Sequence, residues 1–229
     1  MVRWVRDRSG RFPERPHYTM DEIDQECEQM MKVFLRRHRG QATCPIRTDD
    51  LMTLIEQEAA DLDTYADLDD DVEGVTHFFR DGKPKVEISR LLTENERREN
   101  RLRTTLTHEL WHVKYHNFIF FFDQGPLVTV PTGGPVFSPA CKRDGMIDAP
   151  ESDWLEWQAG YASGAFLMPL TALQRVVEAF LDQHELTDPL SIDDVRGREL
   201  IRYAQARFRV SADAARVRLL KRGYLLDTP

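Results

Sequence analysis

Apolar positions recur along this chain with two periods, one near 3.6 residues and one of 2, and together they predict helices around a short sheet. Thr19 with Glu22 three residues on makes a capping box. Ile23, Cys27, Met30, Met31, Phe34 and Leu35 then follow on one face as far as the basic run Arg36 to Arg39 and Gly40. A second helix is expected from about Asp49 to Ala60, capped by Thr48 or Asp49, with Leu51, Leu54 and Ile55 inward. Gly74 to Phe79 reads as a strand, Asp81-Gly82 as a hairpin turn and Lys85 to Ser89 as its return, because Val86 and Ile88 alternate with polar neighbours. Helical spacing resumes near Asn95 and places Leu102, Leu106, Leu110 and Val113 in one stripe. Three more helices are expected: from Ser152 or Asp153 to just before Pro169, from Ala172 to Gln183, and from a Ser191 cap to about Arg207. After a turn at Val210-Ser211, a last one runs from Ala212 to Arg222 and ends at Gly223. The predicted class is α+β.

Two stretches show no durable period. Met1 to His17 reads as an irregular arm, and Asn117 to Pro150, rich in proline and glycine, as a loop or insertion. Within the latter, Phe118 to Phe122 reads as a buried strand, with a hydrophobic substrate wall as the alternative. The expected organisation is an arm over 1–18, a main domain over 19–188 with its insertion at 117–150, and a helical region over 189–229.

Composition narrows the partners. The formal charge of -8 on 229 residues argues against a surface that wraps nucleic acid. Between Asp49 and Glu73 there are eleven acids and no Lys or Arg, read as a solvated face and loop rather than a cation site. Three cysteines without a C-x-x-C pair fit a reducing compartment, and Met1 to Arg15 lacks the apolar core of a signal peptide, so a cytoplasmic protein without a membrane segment is expected.

The chemistry lies in His108-Glu109-Leu110-Trp111-His112. Four residues of helix put both imidazoles on one face, where they can share an ion. Glu109 beside them can take a proton from an attacking water and pass it to the leaving amine, while zinc lowers that water's pKa and polarises the scissile carbonyl. With seven histidines and seventeen glutamates, chance produces the pattern roughly one or two times in a hundred. His116 extends the spacing, but an unbroken helix sets it about 12 Å from His108, too far to share the ion. Glu156 is the chosen third ligand, because Ala159, Gly160, Ala162, Ser163, Gly164 and Ala165 let two helices approach closely. Against that choice, Asp153 and Glu156 also have capping-box spacing, and Glu151 is the nearest rival.

These residues resemble the ImmA/IrrE family of gluzincin-like metallopeptidases. The extended segment Lys85 to Arg90, the helix with Thr105 to His112 and His116, and Glu156-x-Gln158-Ala159-Gly160-Tyr161-Ala162 running into Phe166-Leu167-Met168-Pro169 carry the likeness. So does Ala206 to Leu220, similar to the helix-turn-helix-like segment that follows the catalytic part in many members. The match spans about Gly74 to Leu226. It departs from the pattern at Gly160, at the bulky Trp111 and in the long insertion, which touches substrate choice rather than metal binding. The resemblance implies a zincin-like fold, Glu156 as third ligand, Glu109 as general base, and a cytoplasmic regulator of mobile elements, phage or stress responses that cleaves helix-turn-helix repressors. Zinc is the expected ion, with manganese as an alternative.

Other features are weighed beside the motif. From Ser191 on, Arg196, Arg198, Arg202, Arg207, Arg209, Arg216, Arg218, Lys221 and Arg222 outnumber five acids. Ala214, Ala215, Val217, Leu219 and Leu220 nevertheless leave few groove-reading positions, so repressor docking or packing is preferred to direct nucleic-acid binding through 191–222. A non-enzymatic regulator working through that region is the competing class. Tyr161 and His77 are candidate oxyanion donors. Lys85, Val86, Glu87 and Ile88 are expected to offer an exposed edge to an extended peptide. Cys141 reads as a small buried side chain, with a ligand that holds the enzyme latent as the alternative.

Overall fold

The computed structural model describes residues 3–120, 134–142, 149–150, 152–187 and 189–227. Contacts gather into two units, one of Met1–Ile23 with Arg47–Ser163 and one of Asp24–Ile46 with Gly164–Pro229. The class is α+β, as predicted.

In the first unit, the segment expected to be an irregular arm is a hairpin of β1 (Arg3–Arg6) and β2 (Glu14–His17). Asp7 closes it by accepting from the backbone N–H of Ser9 at 2.9 Å and of Phe12 at 3.0 Å. Its apolar side is completed from far along the chain: Trp4 meets Phe118 edge-on, and Phe12 meets Trp154. The expected capping box opens α1 (Met20–Arg39), with Thr19 N–H donating to Glu22 at 2.8 Å and Glu22 N–H donating to Thr19 Oγ1 at 3.2 Å. At α2 (Thr48–Glu58) the N-cap is Arg47, and the Thr48 hydroxyl donates instead to Glu99 at 2.9 Å.

One sheet in this unit has the order β3-β5-β4-β6, formed by β3 (Asp61–Ala66), β4 (Val72–His77), β5 (Lys85–Ser89) and β6 (Ala140–Lys142). The hairpin of β4 and β5 has the expected antiparallel pairing, with Gly74 opposite Ile88 and Thr76 opposite Val86. Part of the acidic stretch read as loop is the strand β3, which pairs in parallel with β5. That pairing overturns the exposed edge expected at Lys85, Val86, Glu87 and Ile88. β5 has a neighbour on both sides, so its main-chain groups are committed to the sheet. The outer partner of β4 is β6, from the segment read as insertion, with Gly74 opposite Cys141.

Behind the sheet, α3 (Arg90–Thr93) and a 3-10 turn over Glu96–Arg98 lead into α4 (Glu99–Trp111). Leu106, Leu110 and Trp111 of α4 are fully buried, and each of the two leucines contributes about 1.5–3 kcal/mol by leaving water. The chain then widens into a π-helical turn at His112–His116 and tightens into a 3-10 turn at Asn117–Phe120. The latter corrects the strand expected from Phe118. Phe121 and Phe122 lie outside the described residues. Helix α5 (Trp154–Leu167) follows, with the predicted stop before Pro169.

The second unit holds most of α1, the end of α5, α6 (Leu170–His184), α7 (Val195–Phe208) and α8 (Ala212–Lys221). Ser191 does not cap α7. It belongs to β7 (Leu190–Ser191), which pairs in parallel with β8 (Leu225–Leu226), and Asp194 occupies the N-cap position. Ser211 does cap α8, accepting from the Ala214 N–H at 3.0 Å. Asp24 is buried between Arg218, which also donates to the Met168 carbonyl, and Arg222, 3.3 Å away. Two of the cations counted as a basic end are thus committed to an internal carboxylate, a pair costly to break from one side.

Candidate metal centre

The last turn of α4 and the first of α5 bring His108, His112 and Glu156 together. His108 Nε2 lies 3.1 Å from Glu156 Oε2, His112 Nε2 3.4 Å from Glu156 Oε1, and the two Nε2 atoms 3.1 Å apart. Ligands at 2.0–2.1 Å in a tetrahedral set stand about 3.3 Å from one another, so these spacings fit one zinc-sized ion. Both histidines are buried and Glu156 is partly exposed, and the three lone-pair-bearing groups lie close enough to share one ion. The capping alternative for Glu156 gives way to this arrangement, and the Asp153 carboxylate is held by Arg11 at 3.0 and 3.1 Å. Glu151, the rival ligand, lies outside the described residues.

Electrostatics follow from the packing. Burial alone would raise the Glu156 carboxyl, but the charges of His112 and His108 and their hydrogen bonds hold it far below its ordinary value. Burial would lower His112, and the neighbouring Glu156 reverses this and raises it above 6.5. The cluster is therefore an anion against a cation-prone imidazole, poised to exchange protons for a metal ion.

A chain of buried hydrogen bonds supports His112. Its Nδ1 is 2.8 Å from His116 Nδ1, His116 Nε2 is 3.0 Å from Gln158 Oε1, and Gln158 Nε2 donates to the Pro16 carbonyl at 3.1 Å. Since a carbonyl can only accept, Gln158 gives its amide nitrogen to Pro16 and turns its oxygen toward His116, whose other nitrogen faces His112. The Trp111 indole N–H donates to the same His116 nitrogen at 3.2 Å, with the two rings 85° apart. Burial and the nearby His112 keep the His116 pKa well below 6.5, so it stays neutral and able to accept. Sequence spacing excluded His116 as a ligand to the ion held by His108 but did not reveal this role. The π-turn creates it, bringing the two rings to 4.9 Å between centroids.

Glu109 sits beside the ligands, wholly buried, and accepts from Thr76 Oγ1 at 2.6 Å through Oε2. Its Oε1 has no hydrogen-bond partner among the described residues. Burial raises its pKa, opposed by His108, His112 and the Thr76 bond, which makes the carboxylate a stronger proton acceptor than an exposed one. The carboxylate fits because Gly74 has no side chain: a Cβ there would stand 2.7 Å from Glu109 Oε1 and 2.8 Å from Thr105 Cγ2. Gly74→Ala is therefore expected to cost about 1–3 kcal/mol in stability by overpacking. It should also displace Glu109 while one ion still binds; denaturation curves paired with metal stoichiometry check both.

The proposed helpers fare differently. His77 is engaged away from the cluster, with Nδ1 2.8 Å from Ser138 and Nε2 3.2 Å from Glu87. It follows Thr76 on the strand and so points to the other face of the sheet, which removes it as an oxyanion donor. Tyr161 is buried in α5 with its ring stacked on Trp157. Cys141, by contrast, belongs near the site. Its sulfur, a His108 nitrogen and a Glu109 oxygen all lie within 4.8 Å of one another. Burial and the carboxylates of Glu109, Glu156 and Glu73 push this thiol well above its ordinary value. Thr76 is the residue that sequence reasoning missed; period-2 alternation from Gly74 would have put it on the motif side of the strand.

No protein-family model and no curated protein matches the chain. The cluster is metal-competent and of the kind found in zinc-dependent hydrolases, on its own geometry.

Proposed function

We propose that this chain is a zinc-dependent endopeptidase of the ImmA/IrrE kind that cleaves a regulatory DNA-binding protein, a helix-turn-helix repressor, in the cytoplasm. The observation that carries the reading is a buried glutamate, fixed by Thr76, beside a two-histidine, one-carboxylate cluster with zinc-like spacing. Zinc, when bound, brings the pKa of a bound water down to about 7 and polarises a carbonyl. His108, His112 and Glu156 would hold it; manganese suits the same nitrogen and oxygen donors. Glu109 takes the proton of the attacking water at its free Oε1, keeps it while Thr76 holds Oε2, and delivers it to the amine nitrogen as the peptide bond breaks. His116, itself held by Gln158, supports His112 from the Nδ1 side and leaves Nε2 facing the other two ligands.

A protein substrate is favoured over nucleic acid by the internal use of Arg218 and Arg222, which withdraws two cations from the end otherwise suited to phosphate. The test is incubation of the purified protein with helix-turn-helix repressors from its own genomic neighbourhood. Cleavage is expected, stopped by a chelator and restored by zinc. Failure of every repressor with zinc or manganese present, joined to metal-independent retention of DNA, would instead support the non-enzymatic regulator.

A further inference from the structure

Strand β6 places a thiol at the metal centre. Along it the exposure alternates, Ala140 and Lys142 outward and Cys141 2% exposed, so the sulfur enters the interior. Cys141 pairs with Gly74, the residue whose missing side chain makes room for the Glu109 carboxylate. The sulfur thereby shares a cluster with His108 and Glu109, a second triad that meets the His108, His112 and Glu156 set at His108. An independent observation points to the same spot: Glu109 Oε1, fully buried, has no hydrogen-bond partner among the described residues and lies against Gly74. A position flanked by an unsatisfied carboxylate oxygen, an imidazole and a thiol suits a cation with an affinity for sulfur.

We propose that Cys141 is a displaceable fourth ligand that closes on the ion held by His108, His112 and Glu156 by moving in from the side of His108 and Glu109. The proposal rests on the metal reading above and adds its resting state. Three protein ligands leave a zinc site open for reaction, whereas four close it. With Cys141 bound, Glu109 has no water to deprotonate. β6 also covers the outer edge of β4, so an extended peptide that pairs with β4 must displace the strand that carries the thiol. The thiolate further biases the site toward zinc and cadmium over manganese.

Cobalt(II) loaded into the full-length protein tests this without any substrate. A near-ultraviolet sulfur-to-cobalt charge-transfer band is expected, together with one bound ion per chain. Cys141→Ser should keep the ion and lose the band, whereas Cys27→Ser and Cys44→Ser should retain both. Cys141→Ala guards against a serine oxygen that ligates in the sulfur's place, and both Cys141 variants should lose at least tenfold of the cadmium-over-manganese preference. One bound cobalt without the band, or a band that survives in both Cys141 variants, would overturn the fourth ligand and leave the three-ligand site standing. Absence of any cobalt binding would instead remove the reading on which the proposal depends, and the proposal with it.

Discussion

Glu109→Gln is expected to leave metal content unchanged and to slow peptide cleavage by about 10²–10⁴-fold, the usual contribution of a positioned proton-transfer group. The substitution is nearly isosteric. The new amide can present its carbonyl oxygen to the Thr76 hydroxyl, which donates to Glu109 at 2.6 Å, so the packing against Gly74 and Thr105 need not change. What disappears is the basic oxygen. Because burial raises the Glu109 pKa, the wild-type rate should fall as pH drops through that raised value, where the base becomes protonated. The variant's residual rate should lack this acidic limb. Rates on one repressor substrate across pH, beside metal analysis of both proteins, provide the check. Wild-type speed in Glu109→Gln would remove the residue from its role.

What the sequence disclosed depended on how local the causes were. His108, Glu109 and His112 were legible because helical spacing alone sets their mutual position. Glu156 needed a second inference, from the run of small residues after it, since its meeting with the histidines is tertiary. The capping box at Thr19 was legible for the same local reason as the motif. The N-terminal hairpin was not, because the partners of Trp4 and Phe12 lie at Phe118 and Trp154, more than 100 residues away. Strand β3 was hidden by composition: Leu62, Thr64 and Ala66 do alternate inward, but Asp61 and Asp63 between them carry the charge of an acidic loop. Acids on an edge strand also discourage pairing with another chain, so the feature that masked the strand has a physical use there. The supporting role of His116 was hidden for a different reason. Helix geometry excluded it as a ligand to the ion held by His108, yet widening of the turn brought it onto His112 as a support.

Glu156→Ala should weaken metal binding by more than the 10–100-fold that loss of a supporting group costs, because here a ligand itself is removed. A hundredfold loss corresponds to about 2.7 kcal/mol, and two histidines on one helix are left to hold the ion. The pH dependence should change with it. In the ion-free protein Glu156 holds the His112 pKa above 6.5, so protons compete with the metal for that nitrogen from above pH 6.5 downward. Without Glu156 the burial of His112 acts unopposed in direction by that partner, its pKa falls, and proton competition begins at a lower pH. The variant is thus expected to bind metal more weakly at neutral pH but to lose less of that affinity between neutrality and mild acid. Titration with zinc in the presence of a competing chelator at several pH values measures both quantities. Glu156→Gln, which keeps the side-chain length and one oxygen, should recover part of the affinity without restoring the raised His112 pKa. Full metal affinity in both variants would place the third ligand elsewhere. A loss of affinity with an unchanged pH profile would leave Glu156 as a ligand while removing it as the group that sets the charge of His112.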